Sequence, residues 1–311
     1  MKYKKFFKDG FINLGGGFFS QDTLKELTLE SKKLLESIIK NKSSLDSKIT
    51  VNDFNDTSIG SGGYVLKRVD QHSSKISKIL RNFFEDKKIN TILENFLGKG
   101  FKIHTLSLRK SSTEDHGLGL HQDGPGQINL VIFLDDNEEI YGSTVFLKNS
   151  HLINARVENL KLLAPPFFLR VYKLFLSYIH GKQGDVCLFI NRTWHGRYPS
   201  NNTKSKLLYL IGCHPEGTKY GSEYDDQYSE DYLNQLGACK FRERIDHRMG
   251  TKKISEKEFE IDRSGCEIVS LKFEEPKKNS ISNLSFLNLI YISTLMLIMY
   301  PGRFIKRLFL K

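Results

Sequence analysis

The sequence predicts a mainly β fold with flanking helices, built on a double-stranded β-helix (jelly-roll) core. Three observations point there. Short β-rich runs separated by turn residues recur between positions 101 and 215. One of them, Gln127-Ile-Asn-Leu-Val-Ile-Phe-Leu134, is almost continuously apolar and stops at the turn residues Asp135-Asp136-Asn137, as a strand buried on both faces would. Finally, His121-Gln-Asp123 and a distant His195, in Trp194-His-Gly196, supply polar groups from separate strands that can converge in a jelly-roll interior.

Four parts follow in chain order. Residues 1–100 read as mainly helical, with an amphipathic stretch from Gln21 to Lys40 and a Ser/Gly-rich loop over Thr57 to Gly63. Residues 101–220 hold the catalytic core, whose strands are Phe101 to Arg109, Gln127 to Leu134, Tyr141 to Leu147, Gly184 to Ile190 and Lys206 to Ile211. A lid insertion, 152–182, interrupts it; its apolar stretch Pro165 to Ile179, with Arg170 and Lys173 interspersed, either packs on the barrel or meets lipid or a lipid-linked substrate. Residues 221–280 form a charged, irregular extension with a short strand at Glu267 to Lys272, and 281–311 an apolar, basic C-terminal segment.

His121 and Asp123 carry the chemistry. Side chains two apart on a strand share a face, so an imidazole and a carboxylate stand side by side, and His195 from a distant strand completes a set of two histidines and one carboxylate. Such a triad leaves one face of an iron(II) ion open for a co-substrate and O₂. The bare His-x-Asp string is weak in a chain with nine histidines; its place between strands gives it weight. His116 reads as a solvated loop histidine, His151 as a loop residue, and His214-Pro-Glu216 as a structural pair at a strand end.

The chain from about Lys8 to His214 resembles the phytanoyl-CoA dioxygenase-like family of iron(II)/2-oxoglutarate-dependent oxygenases. The likeness rests on Asp9-Gly-Phe-Ile12 with Phe19-Ser-Gln-Asp22, on Ile92-Leu-Glu-Asn-Phe-Leu-Gly98, and on Gly142-Ser-Thr144 through Asn149-Ser-His151, where Asn149 replaces a glycine. It also rests on the metal residues and on Gly184-Asp185 through Trp194-His-Gly196. The resemblance implies iron(II) at His121, Asp123 and His195, 2-oxoglutarate as co-substrate, and hydroxylation coupled to release of succinate and CO₂. Asp123 occupies the position that related halogenases leave to a small residue, so hydroxylation is expected over halogenation. Lys206, eleven residues after His195, stands where relatives carry an arginine for the distal carboxylate, supplying the charge without the planar fork. Arg197 replaces a common serine and offers a second cation. His104 matches a polar position against the co-substrate, and Asn129 falls on the inward face of its strand with Val131 and Phe133. Two other readings stay open: a non-catalytic, membrane-associated jelly-roll binding module, and an iron oxygenase that does not use 2-oxoglutarate.

Composition bounds the partners. A formal charge of +11 over 311 residues favours an anionic partner, but the basic residues are scattered rather than striped, which argues against nucleic acid. Four cysteines, Cys187, Cys213, Cys239 and Cys266, show no metal or disulfide spacing. Met1-Lys-Tyr-Lys-Lys leads into no apolar stretch, so a cytoplasmic protein is expected. Leu284 to Tyr300 is a seventeen-residue, mostly apolar run, followed by Arg303, Lys306, Arg307 and Lys311 among apolar residues. As a helix it would reach roughly 26 Å at 1.5 Å per residue, short of a ~30 Å hydrocarbon core. It is read either as a helix packed on the barrel or as an attachment to the anionic cytoplasmic face of a membrane. A small or lipid-linked metabolite is the expected substrate.

Overall fold

The computed structural model describes residues 2–40, 63–111, 113, 117–121, 127–152, 169–170, 173–201, 205–216 and 228–245. Asp123, His116, Cys266, most of the 153–172 stretch, residues 267–272, where a strand is expected, and the whole C-terminal segment lie outside the described residues. Helix α1 (Lys2–Asp9) leads into strand β1 (Phe11–Gly15), and α2 spans Gln21–Lys40, the bounds its amphipathic pattern predicts. Strand β2 (Gly63–Lys67) precedes α3 (Ser74–Glu85) and α4 (Lys87–Leu97). The core strands are β3 (Lys102–Ser111), β4 (Leu118–His121), β5 (Ile128–Phe133), β6 (Thr144–Phe146), β7 (Ser177–Tyr178), β8 (Val186–Ile190), β9 (His195–Arg197) and β10 (Leu207–His214). Two short helices follow, α5 (Glu230–Leu236) and α6 (Lys240–Arg244).

The strands form two antiparallel sheets, ordered β1-β8-β5-β10-β3-β2 and β4-β9-β6-β7. Consecutive core strands alternate between the sheets from β3 to β6 and from β7 to β10, the winding of a jelly roll. Strand alternation gives the six-stranded sheet two apolar faces. Leu106, Leu108, Leu130, Ile132, Leu188, Tyr209 and Ile211 face outward and pack against the helices. Val131, Phe133, Cys187 and Phe189 face inward, meeting Phe146 of the smaller sheet. Helix α2 buries Leu24, Leu27, Ser31, Leu35 and Ile38, a stripe at helical spacing, and the Ser31 hydroxyl pairs at 2.6 Å with the Tyr209 hydroxyl beneath it. Ser73 and Asp86 cap α3 and α4 by accepting from Ile76 and Lys88 backbone N–H groups.

Three findings refine the sequence reading. The N-terminal hundred residues also supply both edge strands of the large sheet: β1 pairs with β8, Phe11 opposite Phe189, and β2 pairs with β3. The end of the 152–182 insertion is part of the barrel, since β7 pairs with β6 through Tyr178 and Val145, while Leu174 and Phe175 just before it are exposed. Within the charged extension, α5 and α6 bury Tyr232, Leu233, Leu236 and Phe241 against the helical layer. Arg244 anchors this end, 2.6 Å from Glu94 and stacked 4.1 Å over the Phe101 ring.

Candidate metal and co-substrate site

Strand pairing brings the two predicted histidines together. His121 and His195 are register partners across β4 and β9, and their ring centroids lie 4.4 Å apart. The pairing depends on Gly196, where a Cβ would press on the Leu118 carbonyl and lie 3.0 Å from that of Gly119. Both rings are held the same way. His121 Nδ1 donates to the Gly119 carbonyl at 2.9 Å, and His195 Nδ1 donates to the Thr193 carbonyl at 2.8 Å. A carbonyl only accepts, so the proton of each neutral imidazole sits on Nδ1 and the lone pair on Nε2. That is the tautomer an Nε2 metal ligand needs, with its orientation fixed by a carbonyl. Among the described residues no group of three His, Cys, Asp or Glu side chains gathers here or elsewhere; the third predicted ligand, Asp123, lies outside them.

The loop before His195 is braced by the N-terminus. Gly10 has φ +85°, and a side chain there would collide with Thr193 and His151. Its carbonyl accepts from Ile190 N–H at 2.9 Å and from the Thr193 hydroxyl at 3.2 Å, so the Asp-Gly-Phe segment fixes the residue whose carbonyl orients His195. His151 sits half-buried in the short 3-10 turn Ser150–Leu152: Nε2 donates to the Phe7 carbonyl at 2.7 Å, and burial lowers its pKa to about 4. Asn149, standing where the resemblance expects glycine, adopts φ 65°, a region asparagine tolerates better than most residues. Ser150 Oγ accepts from Trp194 N–H at 2.8 Å.

The barrel interior runs from the histidine pair to a basic end, and β10 provides the ruler. Gly212 is paired with Asn129 and Thr105, Leu210 with Val131 and Ser107, and Leu208 with Phe133 and Arg109. At the histidine end, Phe189, the partner of Asn129, lies 4.9 Å from the His195 ring. A register shift between Gly212 and Cys213 turns His104 inward: a Cβ at 212 would be 2.5 Å from its ring and 3.3 Å from Asn129 Oδ1. His104 and Asn129 therefore meet over Gly212, with His214 behind at 5.3 Å from His104. Phe11 stacks on Phe146 at 4.5 Å, and Phe146 meets Phe189 at 5.2 Å, which walls the histidines in apolar surface.

One cation lies beside the histidines and two occupy the other end. Arg197, two residues past His195 and opposite Thr144, shares the inward face of its strand. Arg109 points inward from β3, its Nε 3.4 Å from the buried Ser107 hydroxyl. Lys206 reaches the 137–143 turn, where its ammonium donates to Asn137 Oδ1 at 2.6 Å, Ser143 Oγ at 2.6 Å and the Glu139 carbonyl at 2.7 Å. Burial lowers its pKa to about 8. The sequence reading passed over Arg109, Gly212 and the three phenylalanines. The signal for Arg109 was its alternation with Ser107 on one strand face.

No family model matches the chain, and no curated protein matches it. Solved structures do. AviO1 from Streptomyces viridochromogenes Tue57 is similar with a TM-score of 0.53 at 15% identity, over 71% of this chain and 96% of that one. HygX from Streptomyces hygroscopicus, solved with nickel, 2-oxoglutarate and hygromycin B bound, has a TM-score of 0.51 at 13% identity, over 79% and 95%. The epimerase SnoN, solved with Fe3+, alpha ketoglutarate and nogalamycin RO, has a TM-score of 0.51 at 15% identity, over 69% and 82%. At such identities the likeness establishes the jelly-roll fold.

Proposed function

We propose that this protein is an iron(II)- and 2-oxoglutarate-dependent dioxygenase that hydroxylates a small or lipid-linked metabolite, converting 2-oxoglutarate and O₂ to succinate and CO₂ as the substrate C–H becomes C–OH. The observation that carries the reading is the facing pair His121 and His195, both locked with Nδ1 protonated, inside a jelly roll whose interior turns basic at its other end. That HygX and SnoN were solved with a metal and 2-oxoglutarate supports it as a fold-level analogy.

In this reading His121, His195 and Asp123 hold the iron, and the bound metal and co-substrate supply the oxidising power. The chain's own residues do the rest. The Gly119 and Thr193 carbonyls hold both imidazoles in the ligating tautomer. Phe11, Phe146 and Phe189 exclude water from the metal end, which strengthens every polar contact inside it. His104 and Asn129 offer polar groups across from the histidines, and the cations at the far end attract the distal carboxylate. Because SnoN is an epimerase, product analysis must accompany turnover. Incubation with iron(II), 2-oxoglutarate and O₂ should yield succinate even without substrate, at an uncoupled rate, and a candidate substrate should raise that rate and gain one oxygen atom from O₂. Absence of iron-dependent succinate formation across substrates would leave the binding-module reading instead.

Membrane attachment is proposed for the C-terminal sequence. The apolar run from Leu284 to Tyr300 and its basic tail support contact with an anionic cytoplasmic face. Among the described residues no helix is long and apolar enough to cross a membrane.

A further inference from the structure

The insertion and the smaller sheet border a second polar cavity, outside the barrel. Leu120, Val145 and Trp194 alternate in sequence with His121, Phe146 and His195, so they lie on the outer face of that sheet. Leu169 and Leu176 of the insertion pack on this face together with Tyr198. The cavity, of about 360 Å³, is lined by Tyr141, Arg170, Lys173, Tyr198 and Ser200 among others. Small-ligand sites begin at about this size. The sheet stands between this cavity and the histidine pair.

Its chemistry is that of an anion site. Lys173 donates to the Tyr141 hydroxyl at 3.2 Å and lies 4.8 Å from that ring's centroid, which leaves further N–H groups on its ammonium. Among the described residues neither Lys173 nor Arg170 pairs with a carboxylate. Burial raises the pKa of Tyr198 while the Lys173 and Arg170 charges oppose it, so both cations act at its hydroxyl. The Ser200 hydroxyl is buried without a hydrogen-bond partner among the described residues, a costly state that a ligand oxygen would relieve. Two cations and several hydroxyls suit the multiple oxygens of a phosphate. The flank of the cavity is apolar. The turn Lys173–Phe175 carries Leu174, 93% exposed, and Phe175, 54% exposed, directly after the cavity's lysine. Among the described residues the one other large apolar side chain so exposed is Leu29, on α2. Exposed apolar residues beside cations and tyrosines fit the interface of an anionic bilayer, and the chain's formal charge of +11 has the matching sign.

We propose that this cavity takes the phosphate of an anionic phospholipid, with Leu174 and Phe175 entering the bilayer beside it. The contact is separate from the one proposed for the C-terminal segment, and it does not depend on the oxygenase reading. The test uses the full-length protein carrying Leu174→Trp, mixed with phosphatidylcholine vesicles with or without phosphatidylglycerol. Its emission is compared with that of wild type, whose sole tryptophan, Trp194, is buried. A blue shift of the added indole with the anionic vesicles, absent with phosphatidylcholine alone, is expected. Adding Arg170→Gln and Lys173→Gln should weaken the vesicle binding read by that shift roughly 30-fold, and Lys173→Gln alone roughly fivefold. Both residues are exposed, so the melting temperature should stay at the wild-type value. Sedimentation with vesicles but no shift of the added indole would leave the membrane to the C-terminal segment and overturn the proposal. An equal shift with phosphatidylcholine alone, or an undiminished one in the variant lacking both cations, would also overturn it. Glycerol phosphate that bound as tightly as the vesicles in calorimetry would make the occupant a soluble phosphate compound instead. A shift that grew with protein concentration in the absence of vesicles would make it a second copy of this chain. Either result would refute the lipid assignment.

Discussion

Gly196→Ala adds a single methyl group where β4 and β9 meet. The new Cβ would lie 3.0 Å from the Gly119 carbonyl oxygen and closer still to that of Leu118. Both are backbone atoms of a paired strand, so no rotamer change relieves the clash. Ordinary contact begins near 3.4 Å, and β4 must retreat from β9 by several tenths of an ångström. Overpacking of this kind costs about 1–3 kcal/mol. The functional consequence is larger, because the residue next to Gly196 is His195, the register partner of His121. The Gly119 carbonyl also orients His121, so the shift disturbs both the spacing and the tautomer lock. Displacement of a catalytic constellation approaching 1 Å costs on the order of 100-fold in rate. Thermal melts and nickel(II) titration of wild type and variant read the two effects separately. A modest drop in melting temperature with metal affinity down by tenfold or more is expected. Wild-type affinity and stability together would show that the β4–β9 spacing does not set the site.

Asp123→Ala should abolish iron-dependent succinate formation and greatly weaken iron binding; retained activity would move the metal elsewhere. Asp70 is fully buried against the Tyr232 hydroxyl at 2.7 Å, and burial raises its pKa from 3.8 to about 6. Its stabilising contribution is therefore full below pH 3.8 and lost as pH rises through 6, so stability of wild type relative to Asp70→Asn should rise by about 3 kcal/mol from pH 7 to below 4. His151, lowered to about 4, works in the opposite sense: its contribution is present above pH 6.5 and is lost as pH falls through 4. His151→Gln should remove that acid-side loss in urea melts across the same range, and identical pH slopes in wild type and both variants would refute the two assignments. Full-length protein should sediment with membranes and a chain ending at Lys278 should not, while still forming succinate; soluble full-length protein beside an insoluble truncation would contradict membrane attachment.

Much of the barrel was legible because its physics is local. Alternation along Gln127 to Leu134, the helical stripe from Leu24 to Ile38, and the capping residues Ser73 and Asp86 speak through near neighbours in sequence. The juxtaposition of His121 and His195 was legible because few residue types suit the metal chemistry expected of them. What stayed hidden depends on distant partners. Strand β1 has five residues, and its pairing partner lies near residue 189. Helix α5 shows Tyr232, Leu233 and Leu236 among Glu and Asp residues, so the charge masked a one-sided apolar face. Arg109 was obscured by the register shift at Gly212, because a bulge breaks the parity by which inward residues are counted. Lys206 reads as a mobile cation until Asn137 and Ser143, more than sixty residues earlier in sequence, are brought against it.

The central claim is that His121, Asp123 and His195 hold iron(II) to which 2-oxoglutarate binds inside the barrel. Anaerobic addition of iron(II), followed by titration with 2-oxoglutarate, reads this directly through the visible metal-to-ligand absorption band of the chelate. A saturable band in wild type, absent in His195→Ala at the same iron and co-substrate concentrations, is the predicted result. A wild-type titration without the band, or an unchanged band in His195→Ala, would contradict it.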